Sequence, residues 1–248
     1  MRRAWANAAL LLAAPVLSLA VVELVMVWLD YDYRPLTISA RDNLRDTLAF
    51  NEEHFEFDQR LLWRPRRGYK IFNRQGFRGP VLGPERRRGE VRIATVGDSN
   101  TLGWRGEDGA HWPGLLDCLA GSEVRVVNAG VWGYSSFQGV LRLREVLPLA
   151  PDVVTISFGS NDARPVRVAD AERSGANRAG AILKGQFGRL RLGRVLIGGV
   201  DRLWALGAPG KMRRRVGLAR YRDNLRTMIG ETRAAGARPV LMTRPYIG

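Results

Sequence analysis

The sequence predicts an α/β protein, with a parallel sheet between helical layers in a three-layer α/β/α sandwich. Three observations carry this. Apolar, β-branched runs recur at Val91–Val96, Val124–Asn128, Val153–Phe158 and Pro239–Thr243, and such continuous runs suit strands covered on both faces. Stretches with helical spacing lie between them, and alternating strands and helices fold as parallel βαβ units. Each of the first three runs stops in small polar residues, as strands do where a parallel sheet presents its carboxyl edge.

Ahead of the sheet, Arg2 and Arg3 precede 22 residues, Ala8 to Leu29, that carry a single charge, Glu23. That run is long enough to cross a hydrocarbon core as a helix. Arginines on the short leading side hold that end in the cytoplasm and send the remainder outward. Residues 1–30 are therefore expected to be an N-terminal transmembrane helix serving as an anchor. A cleaved signal peptide is the rival, with Ser18-Leu19-Ala20 as its small-x-small site and Pro15 closing its apolar core. The apolar run continues nine residues past Ala20, which favours the anchor. No Cys follows the run, which argues against a lipid-modified terminus. Glu23 is costly in lipid without a partner.

Residues 31–90 read as a loop-rich lead-in, with turn-rich "FNRQGFRGP" (72–80) and "GPERRRGE" (83–90). "EEHFEFD" (52–58) sets His54 among acids, but the spacing fits no closed zinc or calcium pattern, so a solvated segment and no metal are expected. Residues 91–248 form the main domain. Its helices are expected at Trp112–Ala120, framed by Pro113 and Gly121, at Ser136–Leu147, and at Leu218–Ala235. The last places Tyr221, Leu225, Met228, Ile229 and Thr232 on one side, with Gly236 as stop signal. Cys118 is the single cysteine; it excludes an internal disulfide, and "GLLDCLAG" reads as the apolar side of a helix with a buried, inert thiol.

The formal net charge is +15, from 39 basic residues of which only Lys70, Lys184 and Lys211 are lysines. Thirteen basic and three acidic residues lie between Arg164 and Arg215, so this one segment carries +10 of that charge. A diffuse nucleic-acid surface would not concentrate its charge so, and no nucleic-acid motif accompanies it. Residues 164–215 read as a basic insertion whose interleaved Arg, Leu, Val, Phe and Trp suit either a cover packed on the domain or a segment lying on an anionic bilayer.

The strand ends hold the chemistry. The first gives Gly97-Asp98-Ser99-Asn100, the second "NAGVWGYSS" (128–136), the third "FGSND" (158–162). Each is also a good turn or cap sequence. Together they converge a serine nucleophile with hydrogen-bond donors for an oxyanion: the backbone N–H groups of Ser99 and Gly133 and the Asn161 side-chain amide. One such donor is typically worth about 3 kcal/mol of transition-state stabilisation. Trp104, Trp132 and Tyr134 suggest an aromatic, substrate-binding rim.

These three blocks, GDS, N-x-G-x-x-G and G-x-N-D, resemble those of the GDSL/SGNH hydrolases, over Val91 to about Thr243. "YRDNL" (221–225) and "FRGP" (77–80) resemble segments of membrane-anchored bacterial members. The resemblance implies a flavodoxin-like SGNH fold, Ser99 as nucleophile, Gly133 and Asn161 with the Ser99 amide as oxyanion hole, and ester hydrolysis without metal or cofactor. It is not the G-x-S-x-G elbow, since Thr101 stands two residues after Ser99.

The family's Asp-x-x-His block is not matched: the chain has only His54 and His111. The expectation is a C-terminally incomplete enzyme, inactive or nearly so for want of its base. The function expected is an extracytoplasmic serine esterase, a carbohydrate O-deacetylase among the options, single-pass in the bacterial inner membrane with its catalytic domain on the periplasmic side. Its partners would be an acylated small molecule or glycan and the membrane, without nucleic acid. The alternatives are an envelope polysaccharide O-acetyltransferase and a non-catalytic binding module.

Overall fold

The computed structural model describes residues 2–31, 54–58, 60–83, 85–103, 110–166, 168–179, 190–196, 199 and 212–243. It opens with helix α1 (Arg2–Trp28) and an antiparallel hairpin, β1 (Phe55–Asp58) and β2 (Leu62–Pro65). Then follow β3 (Val91–Gly97), the single turn α2 (Ser99–Leu102), α3 (Trp112–Leu119), β4 (Val124–Asn128), α4 (Ser136–Val146) and β5 (Val153–Ser157). The chain ends with β6 (Pro165–Val166), α5 (Asp170–Ala179), β7 (Arg213–Arg214), α6 (Leu218–Ala234) and β8 (Arg238–Leu241).

Strands β4, β3, β5 and β8 lie side by side in that order, all parallel. The expected parallel α/β architecture is present, each strand and helix end within about two residues of its expected place. Thr95 pairs with Asn128 and Gly97 with Ser157, so the ends of β3, β4 and β5 share one edge. One face buries Ala94, Val96, Val127, Val154 and Ile156 against Leu143 and Val146 of α4 and Met228 of α6. Gly139 of α4 makes this fit possible, because a Cβ there would stand 2.5 Å from the Phe158 ring. At the β4 edge α3 is tied by Asp117, whose carboxylate accepts the Val126 N–H at 2.7 Å.

Three expectations change. First, the apolar N-terminal run is helical, but among the described residues no helix is long and apolar enough to cross a membrane. Second, the described part of "EEHFEFD", 54–58, is not a solvated segment: His54 and Phe55 are buried, and His54 packs edge-on against Tyr69 and Phe72. The hairpin buries Phe55, Leu62 and Trp63, which join Phe72, Leu102, Val131 and Tyr134 in a second core. The lead-in thus packs on the main domain. Third, Cys118 is exposed, because α3 turns Pro113 and Asp117 rather than Cys118 toward its neighbours. At its described ends the basic insertion is built into the fold, through the β6–β7 pair and the buried Asp170 and Ser174.

Glu23 has partners: its carboxylate accepts the N–H groups of Arg191 and Leu192, each at 2.8 Å. Arg191 in turn donates to Asp30 at 2.9 Å.

Candidate active site

Gly97 ends β3 because nothing larger fits. A Cβ there would lie 2.0 Å from Thr101 Oγ1 and 2.9 Å from the Ser157 carbonyl. Asp98 then caps α2: its carboxylate accepts the Asn100 backbone N–H at 2.9 Å and the Asn100 side-chain amide at 2.7 Å. The cap takes Asn100 and leaves the Ser99 N–H to other partners. Half-buried Ser99 stands at the first position of this capped turn.

The far end of α2 is held as firmly. Arg78, buried, donates through Nη1 to the carbonyls of Leu102 and Gly103 at 3.0 and 2.9 Å. A cation there satisfies carbonyls the helix leaves over. Asn128 Nδ2 donates to Thr101 O at 2.8 Å while its Oδ1 accepts from Gly130 N. Gly130 lies so close to α2 that a Cβ would meet Leu102 N at 2.4 Å. The "FRGP" arginine and the first residue of "NAG" are thus braces for the serine turn.

Beyond β4 the chain runs alongside β3, Val131 N donating to Gly97 O at 3.1 Å, then turns at Gly133 with φ +74°. The turn carries its carbonyl of Tyr134 to the Asn161 amide, which donates at 2.9 Å. An amide has two N–H groups, so this bond orients Asn161 and leaves it a second donor. The serine turn, the Gly133 turn and Asn161 are therefore linked along one sheet edge: Ser99 next to the Gly97 peptide, Asn161 on the carbonyl that follows Gly133.

Asn161 is itself braced. Asp162, buried beside it, accepts Ser136 N–H and Oγ–H at 3.0 and 2.5 Å. Burial pushes the Asp162 carboxyl above its ordinary value, against the pull of the Ser136 donors. Gly159, at φ +139°, supplies a conformation other residues avoid. Tyr221 donates to the Phe158 carbonyl at 3.0 Å and Asn224 to Ser136 Oγ at 2.9 Å, so the "YRDNL" segment of α6 buttresses the third block.

The aromatic rim is only partly as expected. Tyr134 is fully buried, its hydroxyl donating to Trp63 O at 2.6 Å, so it is a core residue. Burial pushes its phenol well above the usual range, which keeps it a neutral donor. Trp132 is half-buried at the turn, and Trp104 lies outside the described residues. His111 caps α3, its Nδ1 accepting Gly114 N–H at 3.0 Å beside Gly103, and His54 sits in the aromatic cluster. A cavity of about 380 Å³ opens among Lys70, Arg78, His111, Asp117 and Asn128. None of Ser99, Gly133 and Asn161 lines it.

A family model for GDSL-like lipase/acylhydrolase matches residues 95–247, more than half of the chain. The chain belongs to that family. Thioesterase 1/protease 1/lysophospholipase L1 of Escherichia coli (strain K12) is 40% identical over 71 residues, 28% of this chain and 34% of the relative. An uncharacterized lipoprotein of Bacillus subtilis (strain 168) is 27% identical over 162 residues, 63% of this chain and 49% of the relative. The chain thus spans from a third to a half of the length of these curated relatives. Among solved structures, a lipase/acylhydrolase from Enterococcus faecalis aligns at 28% identity over 63% of this chain and 58% of that one, with a TM-score of 0.35.

Trp63 and Arg215 were not legible as site residues. Trp63 Nε1 donates to Trp132 O at 3.0 Å and Arg215 Nη1 to Gly133 O at 2.6 Å, across 69 and 82 residues of chain. No local pattern marks either one.

Proposed function

We propose that this GDSL-family chain supplies the nucleophile and oxyanion half of a serine esterase acting on an acylated small molecule or glycan. The observation that carries the reading is the Asn161–Tyr134 bond. It ties Asn161 to the carbonyl that follows Gly133 and leaves the amide a second N–H. Ser99 Oγ attacks the acyl carbonyl, the Oγ–C bond forms as the carbonyl π pair moves to oxygen, and collapse expels the alcohol while leaving an acyl-serine. The Ser99 proton passes through a general base to the departing oxygen. The Ser99 and Gly133 N–H groups and Asn161 Nδ2 bear the oxyanion charge.

The location we propose is the extracytoplasmic, periplasmic face of a bacterial inner membrane, with α1 as the attachment. Val16, Leu17, Leu19, Leu24 and Trp28 stand exposed around α1, and a helix apolar on all sides needs a cover of protein or lipid. Arg2 and Arg3 set the orientation.

p-Nitrophenyl acetate tests the chemistry, because its leaving group departs without needing a proton. Ser99 is expected to become acetylated, Ser99→Ala to abolish that, and Asn161→Ala to slow it about 100-fold or more. Acetylation elsewhere, or a rate indifferent to Asn161, would sink the reading. Acetyl passing to an added glycan with no free acetate would make the protein a transferase.

A further inference from the structure

The Gly133 turn is conformationally soft by composition. Tyr134 N donates to Val131 O at 3.3 Å and Gly133 takes φ +74°, the third-position value of a type II turn. Types I and II differ by a flip of the central peptide, here Trp132–Gly133. A glycine in that position tolerates the flip. The flip would reverse the Gly133 N–H, the group on which the oxyanion depends.

Two remote side chains hold the peptides on either side of Gly133. The chain contains no cis peptide among the described residues, so the Trp132 carbonyl and the Gly133 N–H point oppositely across one planar unit. The Trp63 indole N–H on that carbonyl, at 3.0 Å, therefore fixes the direction of the Gly133 N–H. The next peptide is taken by Arg215, whose Nη1 donates to the Gly133 carbonyl at 2.6 Å. Both holders are themselves fixed. Arg215 Nε pairs with the buried Asp170 carboxylate at 2.8 Å, and the same carboxylate accepts from Ser135 Oγ at 2.6 Å. Trp63 accepts from the Tyr134 hydroxyl, lies 5.6 Å below the Arg215 guanidinium, and approaches Gly133 closely enough that a Cβ there would stand 3.2 Å from its ring.

We propose that Trp63 and Arg215 are positioning residues of the acyl-transfer site, forming a clamp that keeps the Trp132–Gly133 peptide in the orientation that presents its N–H to the oxyanion. The assignment rests on the esterase reading above and gives two elements outside the three blocks a role. The hairpin supplies one jaw and the carboxyl end of the basic insertion the other. Donation to a peptide carbonyl also polarises the N–H of the same unit, so each jaw orients and Trp63 strengthens as well.

The test uses the full chain with ¹⁵N-glycine and p-nitrophenyl acetate. Trp63→Phe keeps an aromatic ring but removes the N–H donor together with part of the buried indole's volume, and the arginine variants below carry no such change of ring. Trp63→Phe is expected to displace the Gly133 amide cross-peak more than that of other assigned glycines. It should also lower the limiting Ser99 acetylation rate about 10- to 100-fold, the range for a misplaced reacting group, with the half-saturating ester concentration unchanged. Arg215→Met is expected to do the same and Arg215→Lys to restore part of the rate, so the arginine pair decides the matter if Trp63→Phe does not fold. A Gly133 signal that stays in place, or one that moves while the rate holds within about twofold, overturns the clamp. A wild-type chain that is never acetylated at Ser99 overturns the esterase reading instead. The two failures are told apart because the cross-peak reports the clamp without any turnover.

Discussion

The turn at Ser99 and the turn at Gly133 stand side by side on one sheet edge and are built in opposite ways. The first is held mostly by its own neighbours: Gly97 allows the close approach, Asp98 caps, and Asn100 returns to the cap. Its longer-range braces, Arg78 and Asn128, come within 27 residues. The second has almost no local support beyond one 3.3 Å turn bond and is held by side chains 69 and 82 residues away. In the proposed esterase, the nucleophile must be presented the same way in every molecule, and a tight cap does that from sequence alone. The proposed oxyanion donor has to match a neighbour's geometry, and tertiary contacts set it.

That contrast breaks most severely at Gly97. Gly97→Ala forces a methyl into Thr101 Oγ1 and, less escapably, into the Ser157 carbonyl. Overpacking of this kind costs about 2–3 kcal/mol, and the denaturant midpoint is expected to fall accordingly, with Ser99 acetylation lost. A midpoint equal to wild type would show that the serine turn is not locally constrained.

A smaller effect sharpens the other side. Tyr134→Phe strips the hydroxyl that donates to Trp63 O and leaves that buried carbonyl without this donor, at a cost of about 1–2 kcal/mol. Local loosening of the clamp should appear as faster hydrogen exchange at Gly133 and Tyr134 than at Ser99 and Asn100. Equal acceleration at both turns would mean that they are one cooperative unit.

The smallest effect is a slope with pH. Asp162 has a folded pKa raised by burial above its ordinary 3.8. A carboxyl shifted upward is charged less readily when folded, so stability falls as pH rises from about 3.8 to the folded value and is level above it. Asp162→Asn has no such step. The difference between wild-type and variant urea midpoints is expected to decline across that window and then stay constant. A difference that grows with pH would mean that the Ser136 donors outweigh burial.

Much of this site was legible because its parts lie at strand ends, and strand ends are announced by consecutive residues. Val91–Gly97 reads as a buried strand, and the acid, serine and amide that follow stand where a parallel sheet gathers its working groups. Tyr134 shows where that reasoning stops. An aromatic residue after a glycine turn reads as a rim residue, but its hydroxyl finds Trp63 and its ring is fully buried. His54 misleads in the same way, since acids around it in sequence say nothing of Tyr69 and Phe72 around it in space.

By itself, the sequence determined the parallel α/β sheet, the order of its helices and the three turns that carry Ser99, Gly133 and Asn161. Period, cap and glycine requirements are properties of neighbours in the chain. Only the tertiary structure decided that the lead-in hairpin joins the core, that Glu23 meets Arg191 and Leu192, and that Trp63 and Arg215 grip the peptides on either side of Gly133. A buried Trp or Arg satisfies its hydrogen bonds with whichever carbonyl the fold brings near, and that partner is fixed by packing between distant segments, for which no local residue pattern exists.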